Sequence, residues 1–334
     1  MIKLQHNYKI ITKKNTMRSN LSGKKIVVFG GTGFIGTHLV KHLCKEACQI
    51  RIISRSPKSN QAHFFANDPG QIEVINIDEF TQDNVTSVTA ESDVVFNLIG
   101  ILAESKKNKF EFVHSKIPEM IANSAKANKI RNLIHISALN VDRIKTSKYA
   151  ISKKLGERKI SEIFPNAIIA RPGVVFGKGD NFTNFFSSLS RYSPFLPIIG
   201  TPNIEFSRNL LRVLDFSKKV KFQPLYVGDL VNFLISVCLK KNQTYDLAGP
   251  FVKSFTEIFD IILNHKKRKR IYLPVPFFQA KILAFFLELL PNPLLTRDQI
   301  NLLKYDSVSS KGLANLLRVV DNPASMETTV KNYL

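Results

Sequence analysis

Residues 25–36 read KIVVFGGTGFIG, an apolar run followed by glycines at positions 30, 33 and 36. Apolar residues recur at helical spacing beyond Gly33, so the stretch predicts a strand, a glycine turn and a helix. Gly30 permits the tight turn, Gly33 lets a pyrophosphate approach the backbone, and Gly36 lets the helix pack close to the strand. The phosphates would face the N–H groups at the helix N-terminus. The loop is therefore a candidate dinucleotide site, formed by Gly30, Thr32, Gly33, Phe34, Ile35 and Gly36.

The chain has 334 residues, 44% of them hydrophobic, which is typical of a globular protein with one large domain or two smaller ones. Its net charge of +22 is unusual. Either a compositional bias toward Lys, Asn and Ile explains this charge, or the partner is acidic: an anionic membrane surface, an acidic protein or a nucleic acid. No nucleic-acid motif accompanies the charge, so no nucleic-acid partner is expected.

The N-terminus and the cysteines point to no further site. Residues 1–23 are predicted to form a basic, flexible arm, with a transit peptide or an alternative start at Met17 as the other interpretations. Cys44 and Cys48 lie one turn apart on the first predicted helix, without other residues at metal-ligand spacing. We expect buried or half-buried thiols in a reducing compartment, and no metal.

Further apolar runs alternate with helical stretches such as residues 112–128 and predict a parallel, doubly wound α/β sheet of the Rossmann type. Ligands bind at the carboxyl ends of such strands. The predicted strands are residues 26–29, 49–54, 72–77, 94–99 and 132–136. The residues at their carboxyl ends, which we expect near a ligand, are Gly30, Arg55, Asp78, Leu98, Gly100 and Ser137.

The end of the second predicted strand bears on cofactor choice. An acidic residue there would bind the ribose hydroxyls of NAD, whereas this chain has Ser54, Arg55 and Ser56. A cation flanked by hydroxyls suits a 2′-phosphate, so NADP(H) is favoured over NAD(H). The alternative is that Arg55 lies on a solvated loop.

Ser137, Tyr149 and Lys153 form a candidate catalytic set. Residues 148–163 are predicted to be helical, so Tyr149 and Lys153, at i and i+4, share one helix face. A nearby ammonium would lower the pKa of the tyrosine, and Ser137 would hold a substrate carbonyl. Such a set can serve as general acid and base for hydride transfer with a nicotinamide.

In these motifs the chain resembles the short-chain dehydrogenase/reductase superfamily, in its atypical NmrA- and epimerase-like branch. Residues 170–177 (ARPGVVFG) resemble the strand-six motif, and three later segments resemble the C-terminal lobe: residues 222–230, 245–250 and 294–299. The combination, from about residue 24 to 308, is similar to the nucleotide-binding accessory subunit of respiratory complex I (NADH:ubiquinone oxidoreductase) and its bacterial relatives.

The resemblance implies a Rossmann domain over residues 24–177 and a smaller α/β substrate or partner lobe over 178–334, interleaved with the last Rossmann elements. It places Tyr149, Lys153, Pro172 and Val174 beside the nicotinamide ribose and ring. Residues 201–221 depart from the family pattern and resemble an insertion able to form a short amphipathic helix.

The implied function is that of a complex I-associated accessory or assembly-type subunit with structural NADPH. The alternatives are a free-standing NAD(P)-dependent oxidoreductase, epimerase or dehydratase acting on an unknown sugar-nucleotide or quinone-related substrate, and a regulatory NADP sensor. The expected location is cytoplasmic, peripheral at the inner face of the energy-transducing membrane, or on the matrix side if organellar.

Two C-terminal segments bear on membrane contact. Residues 265–270 (HKKRKR) are interpreted as a solvated helix end and turn. Residues 276–291 form an apolar stretch too short to span a bilayer. We expect this stretch to pack into the core of the lobe, with contact to an anionic membrane surface or a partner as the alternative.

Overall fold

The strand predicted from residues 25–36 is an inner strand of a parallel sheet, and the predicted glycine turn and helix follow it. The computed structural model describes residues 21–55, 69–200, 203–206, 212–215, 219–291 and 293–334. The predicted N-terminal arm thus lies almost wholly outside the described residues.

Fifteen strands are described. They are β1 (Lys25–Phe29), β2 (Gln49–Ser54), β3 (Ile72–Asn76), β4 (Val94–Asn97), β5 (Asn132–Ile136), β6 (Ile168–Pro172), β7 (Val175–Phe176), β8 (Phe195–Ile199), β9 (Asn203–Phe206), β10 (Arg212–Asp215), β11 (Lys221–Phe222), β12 (Leu225–Tyr226), β13 (Gln243–Leu247), β14 (Lys253–Ser254) and β15 (Ile271–Val275).

The described helices follow the same order. They are α1 (Phe34–Leu43), α2 (Gln82–Val88), α3 (Ile117–Ala127), α4 (Lys148–Ile163), α5 (Asn181–Tyr192), α6 (Val227–Val237), α7 (Phe255–Lys266), α8 (Phe277–Leu287), α9 (Arg297–Leu302), α10 (Gly312–Leu316) and α11 (Met326–Thr329), with a π-helix at Phe112–Lys116 and a 3₁₀ turn at Val330–Asn332.

Seven strands form the main sheet, in the order β13-β6-β5-β4-β1-β2-β3, and every pairing in it is parallel. The α/β, Rossmann-type prediction is confirmed. Because the strands are parallel, their carboxyl ends lie along one edge, and the strand order reverses between β1 and β4. That switch point is where doubly wound sheets bind ligands.

Both faces of the sheet are buried, as parallel sheets require. One apolar cluster joins one face to α1 and α6, and a second joins the opposite face to α2, α3 and α4. Cys44, Cys48 and Cys238 are buried, as expected, and none of them is in a disulfide among the described residues. A third cluster, rich in phenylalanine, forms the core of the C-terminal lobe around α5 and α7.

One prediction about the lobe is wrong, and a second holds only in part. Within residues 201–221, the described parts pair as an antiparallel hairpin of β9 and β10 and form no helix. The stretch at 276–291 forms α8, which packs on a small apolar cluster through the buried Ala280 and Ala284, while most of its large side chains are exposed, so the predicted core packing holds only in part. Local periodicity cannot identify which part of the protein a helix packs against. The rest of the lobe covers only one narrow side of α8.

The cationic segment at 265–270 is only partly a solvated turn. Helix α7 continues to Lys266, and Lys267 adopts the left-handed conformation at φ 53°. The Arg268 and Arg270 guanidinium groups donate to the carbonyl oxygens of Ser187 and Ser190, at 3.2 and 2.8 Å. These bonds satisfy carbonyl groups near the end of α5.

Candidate functional site

The glycine loop is shaped by close backbone contacts. Gly30 has φ +79°, and the Gly33 N–H donates to the Gly30 carbonyl at 3.0 Å. A Cβ atom on Gly36 would lie 2.1 Å from the Gly30 oxygen, so no other residue fits there. Gly33 is the N-cap of α1 and has no side chain to occupy the N–H groups of the first turn. The loop therefore presents exposed backbone N–H groups and a helix dipole to a ligand.

The residues predicted at the carboxyl edge follow strands of the main sheet, and two of them are in close contact. The Gly30 Cα approaches the Leu98 backbone so closely that a Cβ would lie 3.2 Å from the Leu98 carbonyl carbon. Arg55 is exposed after β2 and donates to Asn108 Oδ1 at 2.7 Å. Asp78, also exposed, accepts from Asn76 Nδ2 at 2.8 Å. Ser56 lies outside the described residues.

Lys153 is buried beneath the site, with 3% of its surface exposed. Its Nζ donates to the Ile136 carbonyl at 3.0 Å and would lie 3.3 Å from a Cβ on Gly100. Burial lowers the pKa of Lys153 to about 8, against a smaller opposing effect of the Glu157 carboxylate. Gly100 thus leaves room for the lysine head group.

Tyr149 lies at the start of α4 and is half-buried. Its ring packs edge-on against Phe110 and His114, with centroids 5.9 and 5.2 Å away. Burial raises the pKa of Tyr149 to about 12. The predicted lowering of this pKa by Lys153 is therefore wrong, because desolvation of the phenolate dominates and the ammonium hydrogen-bonds the β5 backbone instead.

Ser137 follows β5, and its backbone N–H donates to the Ala170 carbonyl at 2.8 Å. Its Oγ is buried and has no hydrogen-bond partner among the described residues. Buried hydroxyl groups normally have a partner, so this oxygen is available to a ligand polar group or water. On the neighbouring strand β6, Pro172 is buried at the carboxyl end, and the half-buried Val174 lies two residues beyond it.

Two buried histidines that the sequence did not single out lie beside Lys153. His114 Nε2 accepts from the Ile101 N–H at 3.1 Å, which assigns the ring proton to Nδ1, 3.0 Å from Ser152 Oγ. Burial and the Lys153 charge lower the pKa of His114 to about 2 and hold the pKa of His135 well below 6.5. Both rings are therefore neutral, and the charge at the site is that of the lysine.

The π-helix at Phe112–Lys116 brings His114 to the site. It packs so tightly on α4 that a Cβ on Gly156 would lie 1.9 Å from the His114 carbonyl oxygen. The sequence predicts a helix here but not its π-turn, and Gly156 in a helix interior was the only local signal for the close contact. π-Turns are frequent at functional sites.

Asp298, from the C-terminal lobe, caps the helix that carries Tyr149 and Lys153. Its carboxylate accepts from Ser147 Oγ at 2.7 Å and from the N–H groups of Lys148 and Tyr149 at 2.7 and 3.0 Å. Residues 294–299 resemble the C-terminal lobe in sequence, but no local pattern predicts this capping role of Asp298. A carboxylate at this position also complements the dipole of α4.

The arrangement fits a dinucleotide. The glycine loop provides N–H groups for phosphates at the switch point, and Ser137 Oγ and the Lys153 ammonium lie at the same edge. No cluster of His, Cys, Asp or Glu suited to a metal ion occurs among the described residues. None of the helices in the described ranges is long and apolar enough to cross a bilayer.

Comparison with known proteins agrees with this geometry. Residues 30–173 match a protein-family model described as NAD(P)H-binding. The chain is 29% identical to NADH dehydrogenase [ubiquinone] 1 alpha subcomplex subunit 9, mitochondrial, of Mus musculus, over 97% of this chain and 83% of that protein. It is 30% identical to the protein of the same name from Arabidopsis thaliana, over 88% of this chain and 73% of that protein.

Among solved structures, the chain is similar to an NADPH-dependent quinone oxidoreductase from Escherichia coli complexed with NADPH. The TM-score is 0.68 at 17% identity, over 91% of this chain and 98% of that one. At this identity the similarity shows the shared fold.

Proposed function

Since the chain belongs to the family of NADH dehydrogenase [ubiquinone] 1 alpha subcomplex subunit 9, we propose that it is an NADP(H)-binding accessory or assembly-type subunit associated with complex I. The observation that carries the proposal is that the similarity extends over 97% of this chain, through the C-terminal lobe as well as the nucleotide-binding half. A likeness confined to the glycine loop would support only nucleotide binding.

The nucleotide would be held by the glycine loop through its pyrophosphate, and by Tyr149 and Lys153 through its nicotinamide ribose. Leu98, Gly100, Pro172 and Val174 would flank the nicotinamide, and Asp78 would lie beside the adenosine. When bound, a reduced nicotinamide supplies a hydride. In this proposal the residues named above hold the nucleotide in place and do not take part in its turnover.

NADP(H) is favoured over NAD(H) because the exposed side chain after β2 is the cation Arg55 rather than a carboxylate. The Arg55 guanidinium uses one nitrogen to bind Asn108, which leaves other donors for a 2′-phosphate. The Asn108 contact also directs the side chain toward the turn at 105–108, on the same edge as the glycine loop.

The ionisation of Tyr149 is compatible with a role in holding the nucleotide. With a pKa raised to about 12, the phenol stays protonated at neutral pH and is a weak proton donor. A protonated Tyr149 can still donate a hydrogen bond to a ribose hydroxyl.

The partners proposed are complex I subunits, together with peripheral contact to an anionic membrane surface. The location that follows is the inner face of the energy-transducing membrane, on the matrix side in an organelle. The strongly basic chain would be attracted to such a surface.

The test is purification of the native protein, followed by mass spectrometry of the released nucleotide and native electrophoresis of membrane extracts. The proposal expects close to one NADPH per chain, slow exchange with added nucleotide, and co-migration with NADH:ubiquinone oxidoreductase. A protein that purifies without nucleotide and never co-migrates with a membrane complex contradicts it.

The second candidate is a free-standing NAD(P)-dependent oxidoreductase, epimerase or dehydratase with a sugar-nucleotide or quinone-related substrate. The buried, unpartnered Ser137 Oγ favours it, since that hydroxyl is available to a substrate carbonyl. Tyr149 would be its acid and base, with Lys153 beside it. If Tyr149→Phe turned over such a substrate as fast as the wild type, this candidate would be excluded.

A further inference from the structure

Helix α8 is apolar on the side that faces away from the protein. At about 100° per residue, its exposed positions cover an arc of about 160°. Five of the six residues on this arc are Phe278, Ile282, Leu283, Phe285 and Phe286, and the sixth is Gln279. The exposed fractions of Phe278 and Phe286 are 71% and 61%, and Leu289, in the turn that follows, is 74% exposed.

The apolar area continues onto the two-stranded ribbon of β8 and β15. In this parallel pair Ile271 lies opposite Phe195 and Val275 opposite Ile199. Val275 and Ile199 pack against α8, whereas Ile271, Leu273 and Phe195, on the same face of the ribbon, are exposed. We call the exposed apolar residues of α8, the following turn and this ribbon face the apolar surface.

Cations flank the apolar surface at both ends. The turn with exposed Lys267 and Lys269 leads directly into β15, and at the other end Lys304 lies 6.0 Å from the centre of the Phe277 ring. The pKa of Lys281 is lowered by partial burial and by repulsion from the neighbouring Lys304 ammonium group. Among the described residues, neither forms an ion pair.

Acidic residues are nearly absent from this region. Residues 265–297 contain seven Lys or Arg and one acidic residue, Glu288. Glu288 is already paired with Arg297, whose Nε lies 2.7 Å from its Oε2. The region therefore has uncompensated positive charge around an apolar centre.

We propose that the apolar surface rests on the interface of an anionic lipid bilayer, with α8 parallel to the membrane plane. With 11 residues, α8 is about 16 Å long and too short to span a hydrocarbon core of about 30 Å. Its exposed Phe, Leu and Ile side chains would enter the boundary between headgroups and acyl chains. Lys267, Lys269, Lys281 and Lys304 would lie among the lipid phosphates.

The chemistry favours lipid over a protein partner. A protein interface carries about one hydrogen bond per 100–200 Å². The exposed arc of α8 offers only the Gln279 side chain for such bonds. Lipid hydrocarbon needs no hydrogen bonds. The lipid phosphates would supply negatively charged partners for the surrounding lysines. This inference rests on the membrane contact given under the proposed function and identifies the surface that makes it. Lipid binding by this surface does not depend on bound nucleotide.

The test is flotation of the full-length protein with vesicles of phosphatidylcholine alone or with about one third phosphatidylglycerol. The wild type is expected to float only with the anionic vesicles, and less so in 1 M salt, where the Debye length is about 3 Å. Phe278→Ser/Phe286→Ser should weaken binding at least about a hundred-fold, since burying each of the two rings contributes roughly a factor of ten or more. Lys281→Gln/Lys304→Gln should reduce the preference for anionic vesicles.

The matched control is Ile151→Ser/Leu317→Ser, which replaces two exposed apolar residues outside the apolar surface, on α4 and just after α10. It should float like the wild type. The proposal is overturned if the wild type does not bind anionic vesicles, or if Phe278→Ser/Phe286→Ser binds them as strongly as the control Ile151→Ser/Leu317→Ser. It is also overturned if vesicle binding is absent while Phe278→Ser/Phe286→Ser abolishes co-migration with a membrane complex, which would identify a protein partner. Nucleotide content, measured on the same samples, reports separately on the proposed function.

Discussion

Among individual residues, Lys153 shows how burial determines the chemistry of the site. Its spacing from Tyr149 places both on one face of α4, which alone would predict a charge-coupled pair. The folded chain buries the Lys153 amine and bonds it to the Ile136 carbonyl, while burial raises the pKa of Tyr149. Desolvation therefore outweighs the attraction between ammonium and phenolate in the chain without ligand.

The depressed pKa of Lys153 predicts a pH-dependent stability. The folded protein loses this proton near pH 8, whereas an unfolded lysine keeps it to about 10.4. Between these values the unfolded state binds more protons, so the free energy of unfolding rises with pH. Relative to Lys153→Met, the wild type should gain on the order of 2 kcal/mol from pH 8 to 10 in urea unfolding.

Lys148→Met is the control, because Lys148 is an exposed lysine on the same helix. Its unfolding free energy should follow that of the wild type across this pH range. A difference between the wild type and Lys153→Met that stays constant from pH 8 to 10 would show that the Lys153 amine is not desolvated.

Among the elements, the contact between α4 and the π-helix depends on one glycine. Gly156→Ala would place a methyl group 1.9 Å from the His114 carbonyl oxygen. Alanine in a helix interior gains up to about 1 kcal/mol of helix propensity over glycine. Overpacking costs about 1–3 kcal/mol, and here the obstacle is backbone that cannot rotate away. We therefore expect Gly156→Ala to lower the free energy of unfolding, measured by urea titration, and to weaken nucleotide retention.

Gly173→Ala is the matched substitution, since a Cβ there would meet its nearest atom at 3.4 Å, an ordinary contact. Its stability should equal or slightly exceed that of the wild type. A Gly156→Ala variant as stable as Gly173→Ala would contradict the close packing of α4 on the π-helix.

In the whole molecule, the segment from α9 to Val308 joins the C-terminal lobe to the nucleotide site. Asp298 caps α4, Gln299 Nε2 donates to the Leu102 carbonyl at 3.3 Å, and Asn301 Nδ2 donates to the Thr146 carbonyl at 3.0 Å. The same segment is tied to α8, because the Arg297 N–H donates to Glu288 Oε1 at 2.6 Å. The helix bearing Tyr149 is thus positioned from the distant lobe.

Asp298→Ala tests this connection. Losing the cap should lower the free energy of unfolding by about 1–2 kcal/mol, because three donors at the α4 N-terminus lose their acceptor. It should also speed release of bound NADPH, followed by nicotinamide fluorescence after dilution. Asn301→Ala, which removes the bond to the Thr146 carbonyl but leaves the carboxylate cap of α4 in place, should release NADPH more slowly than Asp298→Ala. Equal release from both variants would mean that the cap does not position Tyr149.

The sequence alone determined the elements whose signals are local. The strand, glycine turn and helix at 25–36 follow from apolar periodicity and from the glycines. At Gly36 the backbone of the loop comes so close that a Cβ atom would not fit. Strands β2 and β5 and helix α4 form with the predicted bounds for the same reason, because their apolar periodicity extends over whole elements.

Only the tertiary structure decided the features that depend on distant partners. Tyr149 and Asp298, whose hydrogen bond caps α4, are 149 residues apart, and no local pattern joins them. The pKa of Lys153 depends on burial beneath the sheet edge, and the exposure of α8 depends on how little of it the lobe covers. Periodicity gives the side on which a helix is apolar, whereas packing of the whole chain decides whether that side faces protein or solvent.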